Sequence, residues 1–124
     1  MLVRGDPDEL QTAFLNVLGN AIKYSPNGAE ISVALSVEHD AWVRVSVTDH
    51  GIGIPAAHLK RIFRRFYRVP SRSAMHAKGT GLGLYIVRTI ARQHGGDIRA
   101  TSEGLGKGTT MLLQLPLAIG GPDA

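Results

Sequence analysis

Two stretches of this chain alternate strictly and lie almost end to end. Ile31, Val33, Leu35 and Val37 interleave with Ser32, Ala34, Ser36 and Glu38; Val43, Val45 and Val47 interleave with Arg44, Ser46 and Thr48. An extended strand points successive side chains to opposite faces, so each run predicts a strand with one apolar and one polar side. The link His39-Asp40-Ala41 is too short for a parallel return, which needs a crossover of about a dozen residues. The pair is therefore expected to be an antiparallel hairpin. Its apolar side must be covered by other elements.

Helices are available for that cover. Asp6-Pro7-Asp8-Glu9 reads as a helix start: Asp6 caps, Pro7 fits the first helical position and Glu9 completes a capping box. The helix is expected to run to about Tyr24 and stop before Ser25-Pro26-Asn27-Gly28, with Leu10, Phe14, Val17, Leu18 and Ala21 as its apolar stripe. Pro55 opens a short helix reaching about Ile62. Residues 67 to 80 read as a long loop, and a loop of that length is usually functional. A second long helix is expected from about Leu82 to His94, with Leu82, Ile86 and Ile90 on one face and Gly95-Gly96 as its stop. Strands near 97–103 and 109–116 follow, joined by "GLGKG". This order predicts an α+β fold: a two-layer α/β sandwich whose mixed, mostly antiparallel sheet carries helices on one face. Residues 1–116 form one domain and 117–124 a frayed tail.

Composition narrows the chemistry. The 124 residues include no cysteine, which excludes disulfides and thiolate metal sites. No apolar run approaches the roughly 18 residues of a membrane span, and "MLVRGDPDEL" lacks the apolar core of a signal peptide, so the chain is expected to be soluble. Between Asp49 and Asp97 there is no acidic residue, and Lys60, Arg61, Arg64, Arg65, Arg68, Arg72 and Lys78 fall inside that gap. Such a block suits an anionic partner, or it is a solvated basic face.

Three local features bear on function. Asn16, Asn20, Lys23 and Tyr24 fall at i, i+4, i+7 and i+8, on the side of the first helix opposite its apolar stripe. Asn is a mediocre helix former, so two of them one turn apart suit either a solvent face or a site in which an amide oxygen meets Mg²⁺ and Lys23 meets phosphate. Asp49 shares the parity of the valines before it. Either it is buried with them, facing a donor such as the adenine amine, or the strand ends there and it caps the next turn in water. "GTGLGL" at 79–84 is neither a Walker A loop nor a dinucleotide fingerprint. It does open a helix, where free N–H groups and the dipole favour an anion.

Taken together, "NVLGNAIKYSP", "DHGIGIP", "IFRRFYR", "GTGLGLYIV" and "GKGTT" resemble the catalytic, ATP-binding domain of sensor histidine kinases. The resemblance covers about Gly5 to Pro116 and implies the Bergerat-type sandwich shared with gyrase B, Hsp90 chaperones and MutL proteins. It implies ATP and Mg²⁺ as ligands. Asn20 would ligate Mg²⁺, Asn16 would support phosphate or metal, Lys23 would approach the phosphates, and Tyr24 would pack against adenine or ribose. These three polar residues, Asn16, Asn20 and Lys23, are the catalytic set it implies. Asp49 would accept from the adenine amine in a pocket shaped by Gly51, Gly53 and Ile54. Phe63, Phe66 and Arg68 belong to the phenylalanine box, with Arg68 near phosphate. The 67–80 segment becomes a lid carrying Lys78. Gly79, Thr80, Gly81 and Gly83 would set backbone against the phosphates, flanked by Leu82 and Leu84, and Thr109 would sit near the adenine pocket.

ATPases of this superfamily carry a glutamate where Asn16 stands, and an amide is no useful general base. The resemblance therefore implies phosphoryl transfer to a partner: a histidine of the protein's own dimerisation and phosphoacceptor domain, and beyond it a response regulator. His39, His50, His58, His76 and His94 lie outside any such acceptor context and read as surface or structural. The chain is expected to be monomeric when isolated, unable to autophosphorylate alone, and the cytoplasmic part of a membrane-anchored kinase. Two alternatives are a serine kinase of the anti-sigma-factor type and a nucleic-acid-binding module that uses Arg64, Arg65, Phe66, Tyr67 and Arg68. The latter leaves Asn16, Asn20 and Asp49 unexplained, so no direct nucleic-acid binding is expected.

Overall fold

The computed structural model describes residues 3–25, 30–67 and 82–118. Helix α1 spans Pro7–Lys23, followed by strands β1 (Ser32–Glu38) and β2 (Trp42–Asp49). Single 3-10 turns cover Ala56–His58 and Arg61–Phe63. Helix α2 (Gly83–Gln93) and strands β3 (Asp97–Thr101) and β4 (Thr109–Pro116) complete the order. The sheet runs β1-β2-β4-β3, and every neighbouring pair is antiparallel. The predicted α+β two-layer sandwich is present, with a sheet that is antiparallel throughout its described strands rather than mixed.

Asp6 caps α1 as its chemistry dictates: Oδ1 accepts from the Asp8 and Glu9 N–H groups at 2.9 and 3.1 Å. The other half of the expected capping box differs, because the Asp6 N–H donates to His94 Nε2 at 3.0 Å. In the hairpin, His39 and Asp40 both take φ 53°, the mirror-turn geometry that matches strand twist. Its register sets Val33, Leu35 and Val37 opposite Val47, Val45 and Val43.

Ala13, Val17 and Ala21 of α1 and Val87, Ile90 and Ala91 of α2 pack onto Val45, Val47, Ile98, Met111, Leu113 and Leu115 of the sheet, with Ile62 and Phe63 closing one side. Three expectations shift. The buried face of α2 is Val87, Ile90 and Ala91, while Ile86 is exposed, because α2 turns its next stripe toward α1 and the sheet. The single helix expected over 55–62 is two separate 3-10 turns. β1 is an edge strand, and Val33 and Leu35 are each 59% exposed because α1 lies over β2 and against α2 without reaching across β1. Past β4, the Leu117 N–H still donates to the Ala41 carbonyl at 2.9 Å, so the sheet's pairing enters the first residue of the expected tail.

Candidate functional site

β2 delivers Asp49 to the core side of the sheet, in step with Val43, Val45 and Val47, and leaves it only 5% exposed. The residue is buried rather than in water, and its Oδ1 accepts from the Gly51 N–H at 2.8 Å, so it caps the next turn from the core side. Burial pushes its pKa up, against the lowering effect of the Gly51 and Thr109 backbone N–H groups and the charge of His50. The result is a recessed acceptor beside a tight turn.

That turn is joined to the end of α1. The Ile52 N–H donates to the Tyr24 carbonyl at 3.1 Å. A Cβ on Gly51 would fall 1.8 Å from that carbonyl oxygen, so only glycine permits the approach. Half-buried Tyr24 is thereby tied to the turn that follows Asp49. Thr109, 7% exposed, pairs with Asp49 across the β2–β4 ladder. Gly53 is buried, and Ile54 donates its N–H to Ser102 Oγ at 3.0 Å.

Two turns earlier along α1, Asn16 meets the start of α2. Its Nδ2 donates to the Thr12 carbonyl at 2.9 Å, which turns Oδ1 toward Gly83; a Cβ there would sit 3.3 Å from that oxygen. α2 begins at Gly83 with no side-chain cap and no acid in its first turn. A helix N-terminus without a side-chain cap or an acid in its first turn favours an anion. Asn20 is half-buried and Lys23 exposed on the same stripe. Eight residues of helix separate Asn16 from Tyr24, about 12 Å along the axis. One helix thus links the start of α2 to the turn beside recessed Asp49.

Leu82 and Leu84 are half-buried beside this junction. Arg68, Lys78, Gly79, Thr80 and Gly81, with nearly all of the expected lid, lie outside the described residues. Phe63 is buried under the Arg88 guanidinium, 5.1 Å from its ring centre, whereas Phe66 is exposed with a left-handed φ of 64°. In the basic block, Arg65 donates to the Tyr85 hydroxyl at 2.8 Å, so part of that charge has an intramolecular partner.

The donor set fits a magnesium nucleotide. A recessed carboxylate suits an exocyclic amine, and an amide oxygen is a hard ligand for a divalent cation. Among the described residues no group of three or more His, Asp or Glu could hold a metal by itself. A cation here would rest on Asn20 and on the phosphates of its ligand. Ser102 is the residue that sequence reasoning missed. Its one legible signal was a hydroxyl opening a loop otherwise rich in glycine, where few side chains can satisfy the backbone.

Comparison with known proteins identifies the family. The family described as histidine kinase-, DNA gyrase B-, and HSP90-like ATPase matches residues 5–119. Sensor histidine kinase WalK of Bacillus subtilis is 41% identical over 117 residues, covering 94% of this chain and 19% of WalK. The chain thus spans about a fifth of that relative's length. The solved structure of the mycobacterial sensor histidine kinase MprB is 36% identical with a TM-score of 0.81, covering 92% of this chain and 74% of that one. Full-length ShkA in complex with AMPPNP is 30% identical with a TM-score of 0.73, covering 89% of this chain and 22% of that one. With a recessed Asp49 beside the C-terminal end of α1 and Asn16, two turns back along that helix, against the start of α2, this chain belongs to the histidine kinase-, DNA gyrase B- and HSP90-like ATPases, among the catalytic ATP-binding domains of sensor histidine kinases.

Proposed function

We propose that this chain binds Mg-ATP and supplies its γ-phosphate to a histidine on a separate dimerisation and phosphoacceptor domain of the same protein, for onward transfer to a response regulator. The observation that carries the reading is the pairing of recessed Asp49, beside the C-terminal end of α1, with the Asn16–Gly83 junction two turns back along the same helix. The AMPPNP bound to ShkA supports an adenine nucleotide as the ligand.

Asp49 accepts from the adenine amine, within a pocket formed by Gly51, Gly53, Ile54 and Thr109, and Tyr24 packs on adenine or ribose. Asn20 holds Mg²⁺, which neutralises phosphate charge when bound. Asn16 orients the phosphates toward the first turn of α2, and Lys23 supplies a cation from the next turn. Leu82, Gly83 and Leu84 flank the phosphates on this reading, and Arg68, Lys78, Gly79, Thr80 and Gly81, outside the described residues, are its further phosphate-binding positions. Catalysis on this reading is positioning plus charge stabilisation, because no acid stands at Asn16 to activate water. The working unit is residues 1–116, monomeric when isolated, in the cytoplasmic part of a membrane-anchored kinase.

Calorimetric titration tests the reading. Mg-ATP should bind the folded chain more tightly than ATP in EDTA. Folded protein that gives no heat with either overturns the proposal. Joined to its phosphoacceptor domain and given γ-labelled ATP, the protein should form acid-labile phosphohistidine. Acid-stable label alone would exclude histidine as acceptor.

A further inference from the structure

We propose that Ser102 is a positioning residue for nucleotide binding: its hydroxyl joins the Gly108 carbonyl and the Ile54 N–H, on the two loops that flank Asp49, and so holds that residue in place to meet the base. The inference rests on Asp49 being the base reader.

Ser102 stands just past the end of β3, half-buried. Its Oγ donates to the Gly108 carbonyl at 2.6 Å and accepts from the Ile54 and Gly104 N–H groups at 3.0 and 3.2 Å. A hydroxyl offers one proton and two lone pairs, so its whole capacity is used. Ile54 belongs to the segment after Asp49, whereas Gly104 and Gly108 belong to the loop before β4. One side chain therefore ties the two loops that flank the base end of the site. A second tie, from the Gly106 N–H to the Ile52 carbonyl at 2.7 Å, is backbone alone and leaves the Gly108 peptide unheld.

The Gly108 carbonyl and the Thr109 N–H are two ends of one planar peptide. Holding the carbonyl fixes where the N–H points. That N–H, with the Gly51 N–H, favours the ionised form of Asp49. Thr109 is also the ladder partner of Asp49, and a Cβ on Gly108 would fall 2.2 Å from the Asp49 carbonyl oxygen, so the peptide that Ser102 holds lies directly against that residue's backbone. Ser102 thus acts on Asp49 without touching it.

The test follows Asp49 directly, by carbon-13 NMR titration of its carboxyl in the nucleotide-free chain, with His50 monitored in the same series. In Ser102→Ala the Asp49 midpoint should move up, because a donor that favours the carboxylate is loosened. ADP should bind about fivefold more weakly by calorimetry, the effect of one typical hydrogen bond. Ser102→Thr keeps the hydroxyl and should restore both readouts. A merely structural serine would leave the midpoint of folded protein unchanged, and that result overturns the proposal. If Ser102→Ala does not fold, Ser102→Cys keeps the volume with a weak donor, and its midpoint is read the same way. Failure of the wild-type chain to bind ADP would sink the nucleotide reading itself, while the Asp49 midpoint would still decide whether Ser102 positions that residue.

Discussion

His94 Nε2 accepts a hydrogen bond from the Asp6 backbone N–H at 3.0 Å, across 88 residues of sequence. Its Nδ1 lies 2.8 Å from the Ile90 carbonyl. A carbonyl only accepts and an N–H only donates, so the partners assign the proton to Nδ1. The ring ties the end of α2 to the start of α1. These two helices carry Gly83 and Asn16, so the tie holds the frame of the Asn16–Gly83 junction.

Gly5 makes room for that ring. A Cβ on Gly5 would sit 2.4 Å from His94 Cδ2 and 2.9 Å from Leu10 Cδ1. Gly5→Ala should destabilise by about 1–3 kcal/mol through overpacking. His94→Ala should destabilise by about 1–2 kcal/mol through its two lost hydrogen bonds. In the double mutant the sum should fall short, because the clash needs the ring. Urea unfolding of the four proteins measures this, and strict additivity would refute the contact.

Asp49→Asn separates stability from function. Burial raises the folded-state pKa of Asp49, so the folded chain holds that proton more tightly than the unfolded one. The associated stability is full below the unfolded pKa near 3.8 and is lost as pH rises through the folded value. Nucleotide-free Asp49→Asn should therefore gain melting temperature relative to wild type as pH rises above 3.8. Its preference for ATP over GTP should collapse. An unaltered ATP/GTP ratio would remove the base-reading role.

Asp97 titrates the other way. Burial alone would raise its pKa, but the Ile98 N–H, Arg92 and Arg88 together bring it below the usual carboxylate value. Its stability contribution is present above the unfolded pKa near 3.8 and disappears as pH falls through the folded one. The pair distances of 3.3 and 3.4 Å lie at an exposed surface, where solvent screening limits the effect to roughly 0.5 kcal/mol. Asp97→Asn should show this small deficit at pH 7 and none at pH 2 in chemical denaturation.

Gly83→Ala probes the phosphate end. The added methyl would stand 3.3 Å from Asn16 Oδ1, close enough to displace the amide slightly. Gly83 opens α2, so alanine should leave stability within about 1 kcal/mol of wild type. Mg-ATP affinity should nevertheless fall about tenfold, the equivalent of roughly 1.4 kcal/mol. Equal affinity in the two proteins would place the phosphates elsewhere.

Much of the architecture was legible because local rules and tertiary packing agree. Asp6 caps α1 through its own side chain, the hairpin registers valine on valine, and Asp49 follows the parity of its strand inward. Where they conflict, packing prevails. Glu9 yields its expected partner to His94, Ile86 turns outward, and β1 keeps alternating though neither helix covers it.

By itself the sequence determined which residues to put forward for the chemistry: Asn16 and Asn20 one turn apart, Asp49 at the close of an apolar strand, and glycines at the bends. Period and residue type are local properties, and a helix or strand expresses them wherever it lies. Only the tertiary structure decided who meets whom. The Gly51 turn reaches Tyr24, Gly83 reaches Asn16, and Ser102 bridges to Ile54, 48 residues away. Such meetings depend on how α1, α2 and two loops pack on one sheet. A hydroxyl like that of Ser102 gains its meaning from partners that chain order does not reveal.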